Sequence, residues 1–297
     1  MKKAKSGLKG LIIFLICVIE VYPLFWMLTA SLKQQSEWSE YPAYALNKGF
    51  YFQNYIDAWT RGNMATFFKN SLITTVVSLI FIVIFATTIG FAVTKMQWKM
   101  RKKVASYFTL GIMIPVATAL IPLFQIYSKT NLLNTRTCLI LTYIAFGLSL
   151  SIYLVQGYLR SFPDDIMEAA VIDGCGIYRM MWHIVVPLMK NAIVTVLVLQ
   201  FFFKWNDLLF SMTFISDSSL KTVQTGLLYF SDEFGGKNWG AIFASVSLSV
   251  FPMLILYTAL IRDPYMTEMS GTGIPTGRYS DFSIWQISIK MIRQKHV

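Results

Sequence analysis

The sequence predicts an all-α integral membrane protein, and three observations carry the prediction. Hydrophobic residues make up 55% of the 297-residue chain and charged ones only 14%, where a soluble globular chain carries roughly 25% charge. The apolar residues gather in blocks of about 20, the length a helix needs to cross ~30 Å of hydrocarbon. Those blocks lack the alternation of a barrel strand, and backbone groups left unpaired in lipid are too costly to keep, so helices remain.

Six spans follow in order, at about 10–30, 70–94, 105–127, 138–158, 191–214 and 239–261. Lys2, Lys3, Lys5 and Lys9 precede the first. Its apolar run is longer than the ~7–15 residues of a signal-peptide core and ends in no small-x-small cleavage site, so it reads as a retained span. Pro115 and Pro122 fall in the third span and Pro252 in the sixth. Each predicts a kink, because proline removes a backbone donor. Of the 26 basic residues, 17 lie in the segments that share a side with the N-terminus and 7 in those opposite. The positive-inside rule therefore puts both termini in the cytoplasm. The net charge of +11 is then mostly topological, and since the basic residues flank spans, a nucleic-acid partner is not expected.

Between the spans, Lys33–Phe67 is long and aromatic, with Trp38, Tyr41, Tyr44, Phe50, Tyr51, Phe52, Tyr55 and Trp59. It reads as an interfacial belt with a packed loop, or as a docking surface for an external partner. The segment Ser211–Trp239, with Asp217, Lys221, Asp232, Glu233 and Lys237, reads as a folded external cap. At membrane depth lie Glu20 and the pair Lys204 and Asp207, three apart in the fifth span and so expected on one helix face. Intramembrane charge marks function by default; a pair that only fixes helix packing is the other reading. Cys17, Cys138 and Cys175 have neither disulfide nor metal spacing, and with only His183 and His296 beside them no metal site is expected.

The most informative stretch is the polar loop 159–190, between the fourth and fifth spans. Pro163, Asp164 and Asp165 suit a helix start, because proline is tolerated in the first turn and carboxylates complement the positive end of the dipole. Ile166, Ala169, Ala170 and Asp173 are expected on one face, with Met167, Val171 and Gly174 on another. Ala169 and Ala170 leave room for another protein's surface to approach. Gly174 and Gly176 supply a sharp turn, and a second amphipathic helix, 177–186, is expected to end at Pro187. The product is a helix–turn–helix knob on the cytosolic face.

These residues resemble a known family. The pattern EAA-x-x-x-G, followed after nine residues by I-x-x-P, is similar to the loop of binding-protein-dependent ABC importer permeases. Here it comprises Glu168, Ala169, Ala170, Gly174, Ile184 and Pro187, with Asp173 before the glycine as in the carbohydrate branch. YPLFWMLTASLK at 22–33, NSLITT at 70–75, ALIPLFQIYSKTNLLNT at 119–135 and WND at 205–207 look like the maltose and multiple-sugar subfamily. The resemblance covers about residues 8–262. It implies the type I importer permease fold, with an N-terminal span and external loop at 1–69, a core permease domain at 70–262 and a cytoplasmic tail at 263–297. In this family the loop is a coupling helix pair seated in a cleft on a cytosolic ATPase. Ile166–Ile177 would be the inserted part, Glu168 its polar anchor and Gly174 the turn. The implied partners are a second homologous permease, two ATPase subunits, an external solute-binding protein and a sugar, in a bacterial plasma (inner) membrane. The chain has no G-x-x-x-x-G-K-[ST] phosphate loop, so it is expected to be no enzyme and to hold no cofactor; ATP and Mg belong to the partner ATPases. Gln200, Lys204, Asn206 and Asp207 are the candidate substrate-pathway residues.

Two features depart from the family pattern. Asn191 stands where a second proline is common, and the chain runs on through Arg262–Val297. A rival reading is an ion-coupled carrier using Glu20, Lys204 and Asp207 as a relay; it gives no reason for the loop at 159–190. A second rival is a membrane scaffold without transport.

Overall fold

The computed structural model describes residues 2–233 and 238–261, and every regular element among them is helical. The expected tail at 263–297, with Arg262, and Lys237 of the external segment lie outside the described residues. Residues 1–255 make one compact unit, and a second begins at Leu256.

The elements in chain order are α1 (Lys2–Ser31), α2 (Gln35–Glu40), α3 (Gln53–Thr60), α4 (Met64–Thr94), α5 (Arg101–Gly111), α6 (Val116–Lys129) and α7 (Arg136–Arg160). Then come α8 (Asp165–Ile172), α9 (Ile177–Met180), a π-turn (Met181–Val185), α10 (Val186–Leu188), α11 (Lys190–Trp205), α12 (Leu209–Phe214), α13 (Val223–Glu233) and α14 (Trp239–Ile261). Among the described residues four helices are long and apolar enough to cross a membrane by themselves: α1 over Ile13–Ser31, α4, α7 and α14 over Trp239–Leu256. Two bent pairs, α5 with α6 and the 177–188 run with α11, raise the number to six if each pair is one span.

Two expected spans differ from this. The third is not a continuous helix with kinks; α5 and α6 meet at 100°. The break falls at Ile112–Pro115, where Pro115 takes extended backbone (φ −65, ψ 130) as the cap of α6 and has no N–H to continue α5. Pro122, by contrast, sits inside α6 without ending it. The fifth span, expected to run to 214, stops at Trp205 and a new helix begins at Leu209. The Asp207 carboxylate makes that break, accepting from Phe210 N at 3.2 Å and Ser211 N at 3.1 Å. A short acceptor at a helix start satisfies donors that have no intrahelical partner.

The centre of the fold is the pair α4 and α7, crossed by α11. Small residues set the approach: a Cβ on Gly90 would collide with the Val155 side chain, and one on Gly147 with Ile82. Ile82, Ala86, Phe91, Ile152, Val155 and Leu159 from this pair form the main apolar cluster. Ala170, Met180, Met181, Val185, Met189 and Val196 complete it, so the inner face of the 159–190 loop is part of the core. α1 stands apart from this packing. Its side chains from Ile13 to Leu24, Glu20 included, are exposed.

The long external loop divides in two. Trp38 stacks on Phe243 at 5.4 Å and Trp59 meets Phe68 at 5.9 Å, while Asn54 Nδ2 donates to Ser31 O and Lys33 O. Tyr44, Phe50 and Phe52 remain exposed. The second external segment is folded, as expected, over its described part. Asn70 Nδ2 donates to Ser219 O and Lys221 O, Ser71 Oγ accepts from Val223 N, and Asn134 Oδ1 accepts from Ser216 N and Asp217 N.

Candidate functional site

The knob at 159–190 is built from α8 outward. Its end is a Schellman turn: Gly174 N–H donates to Val171 O and Cys175 N–H to Ala170 O, with Gly174 at φ +74. That left-handed conformation is costly for most residues with a Cβ, so the backbone alone favours glycine here. Open space surrounds the position. Gly176 differs from the expectation. It adopts ordinary extended backbone (φ −68, ψ 152) that any residue can take.

The faces of α8 also differ from the expected assignment. Ala170 points inward, 7% exposed in the main cluster, and Met167 packs beside it, so these two share a face at i, i+3. Only Ala169 of the alanine pair is exposed; it lies outward together with Glu168. The solvent face is apolar instead, with Ile172 85% and Tyr178 80% exposed and Val171 and Ile177 beside them. Val171, Ile172 and Ile177 join Glu168, Met167 and Met180 in a groove of about 540 Å³, closed on its other side by Phe91, Lys95, Met96 and Gln97.

After α9 the chain does not stop at Pro187. It widens into the π-turn, where Val186 N–H reaches Met181 O, and Pro187 enters the short α10 beyond. The wider turn eases the clash of a proline ring with the carbonyl four residues back. Ile184 is half-buried against the main cluster and Val185 fully buried. A 74° bend then leads into α11, with Met189 buried at the corner and Asn191 second in the new helix.

Three of the four pathway candidates meet at one cavity. A space of about 350 Å³ is lined by Gln200, Lys204 and Asp207, with Tyr143, Phe146, Ser149, Phe203 and Phe210 and the bend between α5 and α6. Asn206 is not part of that lining; its side chain bonds Phe202 O and Gln224. Lys204 and Asp207 do not share a helix face, since the helix ends between them, and they form no ion pair within 4.0 Å among the described residues. Lys204 Nζ lies 5.5 Å over the Tyr143 ring, and Tyr143 OH donates to Asp207 Oδ2 at 2.8 Å. Gln200 is 2% exposed; its Nε2 donates to Gly147 O, and its Oε1 has no hydrogen-bond partner. Volume and lining, apolar with a few convergent polar groups, suit a small polar ligand with apolar faces. Glu20 does not line this cavity.

Sequence reasoning missed Tyr143, one apolar-looking residue in an apolar helix, whose partner lies 64 positions away. It also missed Lys95, whose Nζ donates to Phe162 O at 2.9 Å and meets Asp164 Oδ1 at 2.6 Å. Within a run of five basic residues at 95–104 nothing singles Lys95 out.

Residues 84–263, more than half of the chain, match the family described as "Binding-protein-dependent transport system inner membrane component". The chain belongs to that family. The permease is 31% identical over 258 residues to the diacetylchitobiose uptake system permease protein NgcG of Streptomyces coelicolor, covering 86% of this chain and 85% of the relative. It is 32% identical over 213 residues to the probable starch degradation products transport system permease protein AmyC of Thermoanaerobacterium thermosulfurigenes, covering 72% and 77%. Its fold is that of a solved bacterial ABC transporter involved in import of the acidic polysaccharide alginate, with a TM-score of 0.77 at 18% identity over 88% of this chain and 96% of that one. The permease is thus a multi-pass membrane component of a binding-protein-dependent ABC importer. It is not itself an enzyme, and ATP is handled by an ATPase partner.

Proposed function

We propose that this permease is one of two homologous membrane subunits of an ATP-driven carbohydrate importer, with six spans, both termini cytoplasmic, and a core domain over 70–262. Two ATPase subunits would grip the knobs of the two permeases, and an external solute-binding protein would deliver an oligosaccharide. Nucleotide-driven closure of the ATPases then draws the knobs together and turns the cavity from inward- to outward-facing.

The observation that carries the reading is the knob itself. A cytosolic loop that leaves Ile172 and Tyr178 almost bare while burying Ala170 and Met180 has its outer face free for another protein, since an exposed apolar patch of this kind marks an interface. Glu168 at its rim is the polar anchor, Gly174 with Asp173 shapes the turn, Ile184 holds the second helix against the core, and Pro187 marks the end of the motif in α10. For the substrate, NgcG and AmyC carry names of saccharide uptake. The cavity offers the aromatic faces of Phe146, Phe203 and Phe210 beside the polar groups of Gln200, Lys204 and Asp207, a pairing suited to hydroxyls around an apolar ring.

The test is purification of the tagged chain from mild-detergent membranes, followed by uptake assays on variants. A second permease and an ATPase should co-elute. Gly174→Val and Glu168→Lys should each abolish ATP-driven uptake while the protein stays in the membrane. Normal uptake in both variants would remove the coupling role from the loop. Recovery of this chain alone would instead favour an ion-coupled carrier.

A further inference from the structure

We propose that Lys95 is the positioning residue of the cytosolic knob, and that α4 carries the knob's displacement to the external cap. The inference rests on the importer reading above and adds a route between its two ends.

α4 is a single helix of 31 residues, about 46 Å long at 1.5 Å per residue, with no proline and no break. Both ends are pinned through side chains. At the cytosolic end is Lys95, the residue that caps α4, with its side chain 8% exposed; its Nζ donates to Phe162 O at 2.9 Å and pairs with Asp164 Oδ1 at 2.6 Å. Asp164 caps α8 and Phe162 lies two residues before it; Asp164 O receives the N–H groups of Met167 and Glu168. One ammonium therefore fixes where α8 begins relative to α4. The groove beside it, walled by Phe91 and Met96 on one side and Met167 and Val171 on the other, extends the same contact.

At the external end Asn70 and Ser71, both on α4 and both buried, hold Ser219 O, Lys221 O and Val223 N. Arg136 Nε donates to Asn70 Oδ1 at 2.9 Å, so α7 is tied in at the same point. A stiff rod with a charge-assisted clamp at one end and a buried amide bracket at the other moves as a unit. When an ATPase subunit pulls on the knob, the load passes through Lys95 to α4 and on to residues 217–223. Loss of the clamp leaves the knob joined to α4 through apolar contacts, which can slide.

The experiment compares hydrogen exchange at 217–226 in the purified importer, with and without ATP plus vanadate to trap the closed ATPases. In the wild type, trapping should change the exchange rate there by at least about threefold. Lys95→Met should erase most of that change while keeping ATPase subunits bound, and Lys95→Arg, which keeps the cation, should restore it. A merely structural lysine would lower the denaturation midpoint of the Met variant and leave the trapped-state response intact, which would overturn the proposal. If Lys95→Met does not assemble, Asp164→Lys decides. Asp164 is 74% exposed, so the change sets two ammonium groups together without disturbing the core; a full response in that variant overturns the clamp. A wild-type cap that does not respond to trapping overturns the route through α4 while the importer reading stands. Absence of any ATPase in the purified wild type brings down both.

Discussion

At its external end α4 meets the 217–223 segment through Asn70 and Ser71, which are buried and bonded to backbone groups. At its other end, expected on the cytosolic side, one ammonium meets a carbonyl and an exposed carboxylate, and the loop beyond leaves Ile172 and Tyr178 exposed. The external bracket is finished within the chain. The 159–190 knob is finished only on its inner face, where Ala170, Met180 and Val185 enter the core, and its outer face is left exposed. Asp207 and Lys204 repeat the contrast inside the membrane: the carboxylate has three donors from Tyr143, Phe210 and Ser211, while the ammonium faces a ring and a cavity.

Four substitutions sharpen this contrast, from the largest effect on stability to none. Asn70→Ala removes the shared partner of Ser219 O, Lys221 O and Arg136 Nε. Losing three part-buried hydrogen bonds at about 1 kcal/mol each should cost roughly 2–3 kcal/mol in all, read as a lower thermal midpoint of the detergent-solubilised protein. Gly174→Ala forces a Cβ into φ +74 with no clash to blame, a backbone penalty of about 1–2 kcal/mol. It should appear as faster protease nicking at the knob together with reduced uptake. Ile172→Ser, at a position 85% exposed, should change stability by under about 0.5 kcal/mol yet reduce recovery of the ATPase on purification. A midpoint shift as large as that of Asn70→Ala would mean that the outer face of α8 is already covered within this chain. Gly176→Ala should do nothing measurable, since its backbone is ordinary and its surroundings open; lost uptake there would show that the turn needs both glycines.

Much of the scaffold was legible in advance because span length is set by the bilayer and not by the neighbours. The helices at 64–94, 136–160 and 239–261 fall where their apolar runs do. The knob was legible for a different reason: a glycine after an Ala-rich helix is a local requirement, and Gly174 meets it at φ +74. Asp207 was legible as a buried charge, but its role was not. Helical spacing put it on a face with Lys204, and the chain instead ends a helix at Trp205 and uses the carboxylate to start the next. The faces of α8 were read from small side chains, whereas packing into the main apolar cluster decided that Ala170 turns inward.

By itself the sequence determined the all-helical membrane class, the places of most spans and the position of the knob. Each of these depends on local composition, on the thickness of hydrocarbon or on one residue's backbone freedom. Only the tertiary structure decided the 100° break before α6, the capping role of Asp207, the bond from Tyr143 and the clamp from Lys95. Those depend on which groups are left without a partner when distant helices come together, and a donor or acceptor buried in a membrane protein must find one wherever the packing offers it.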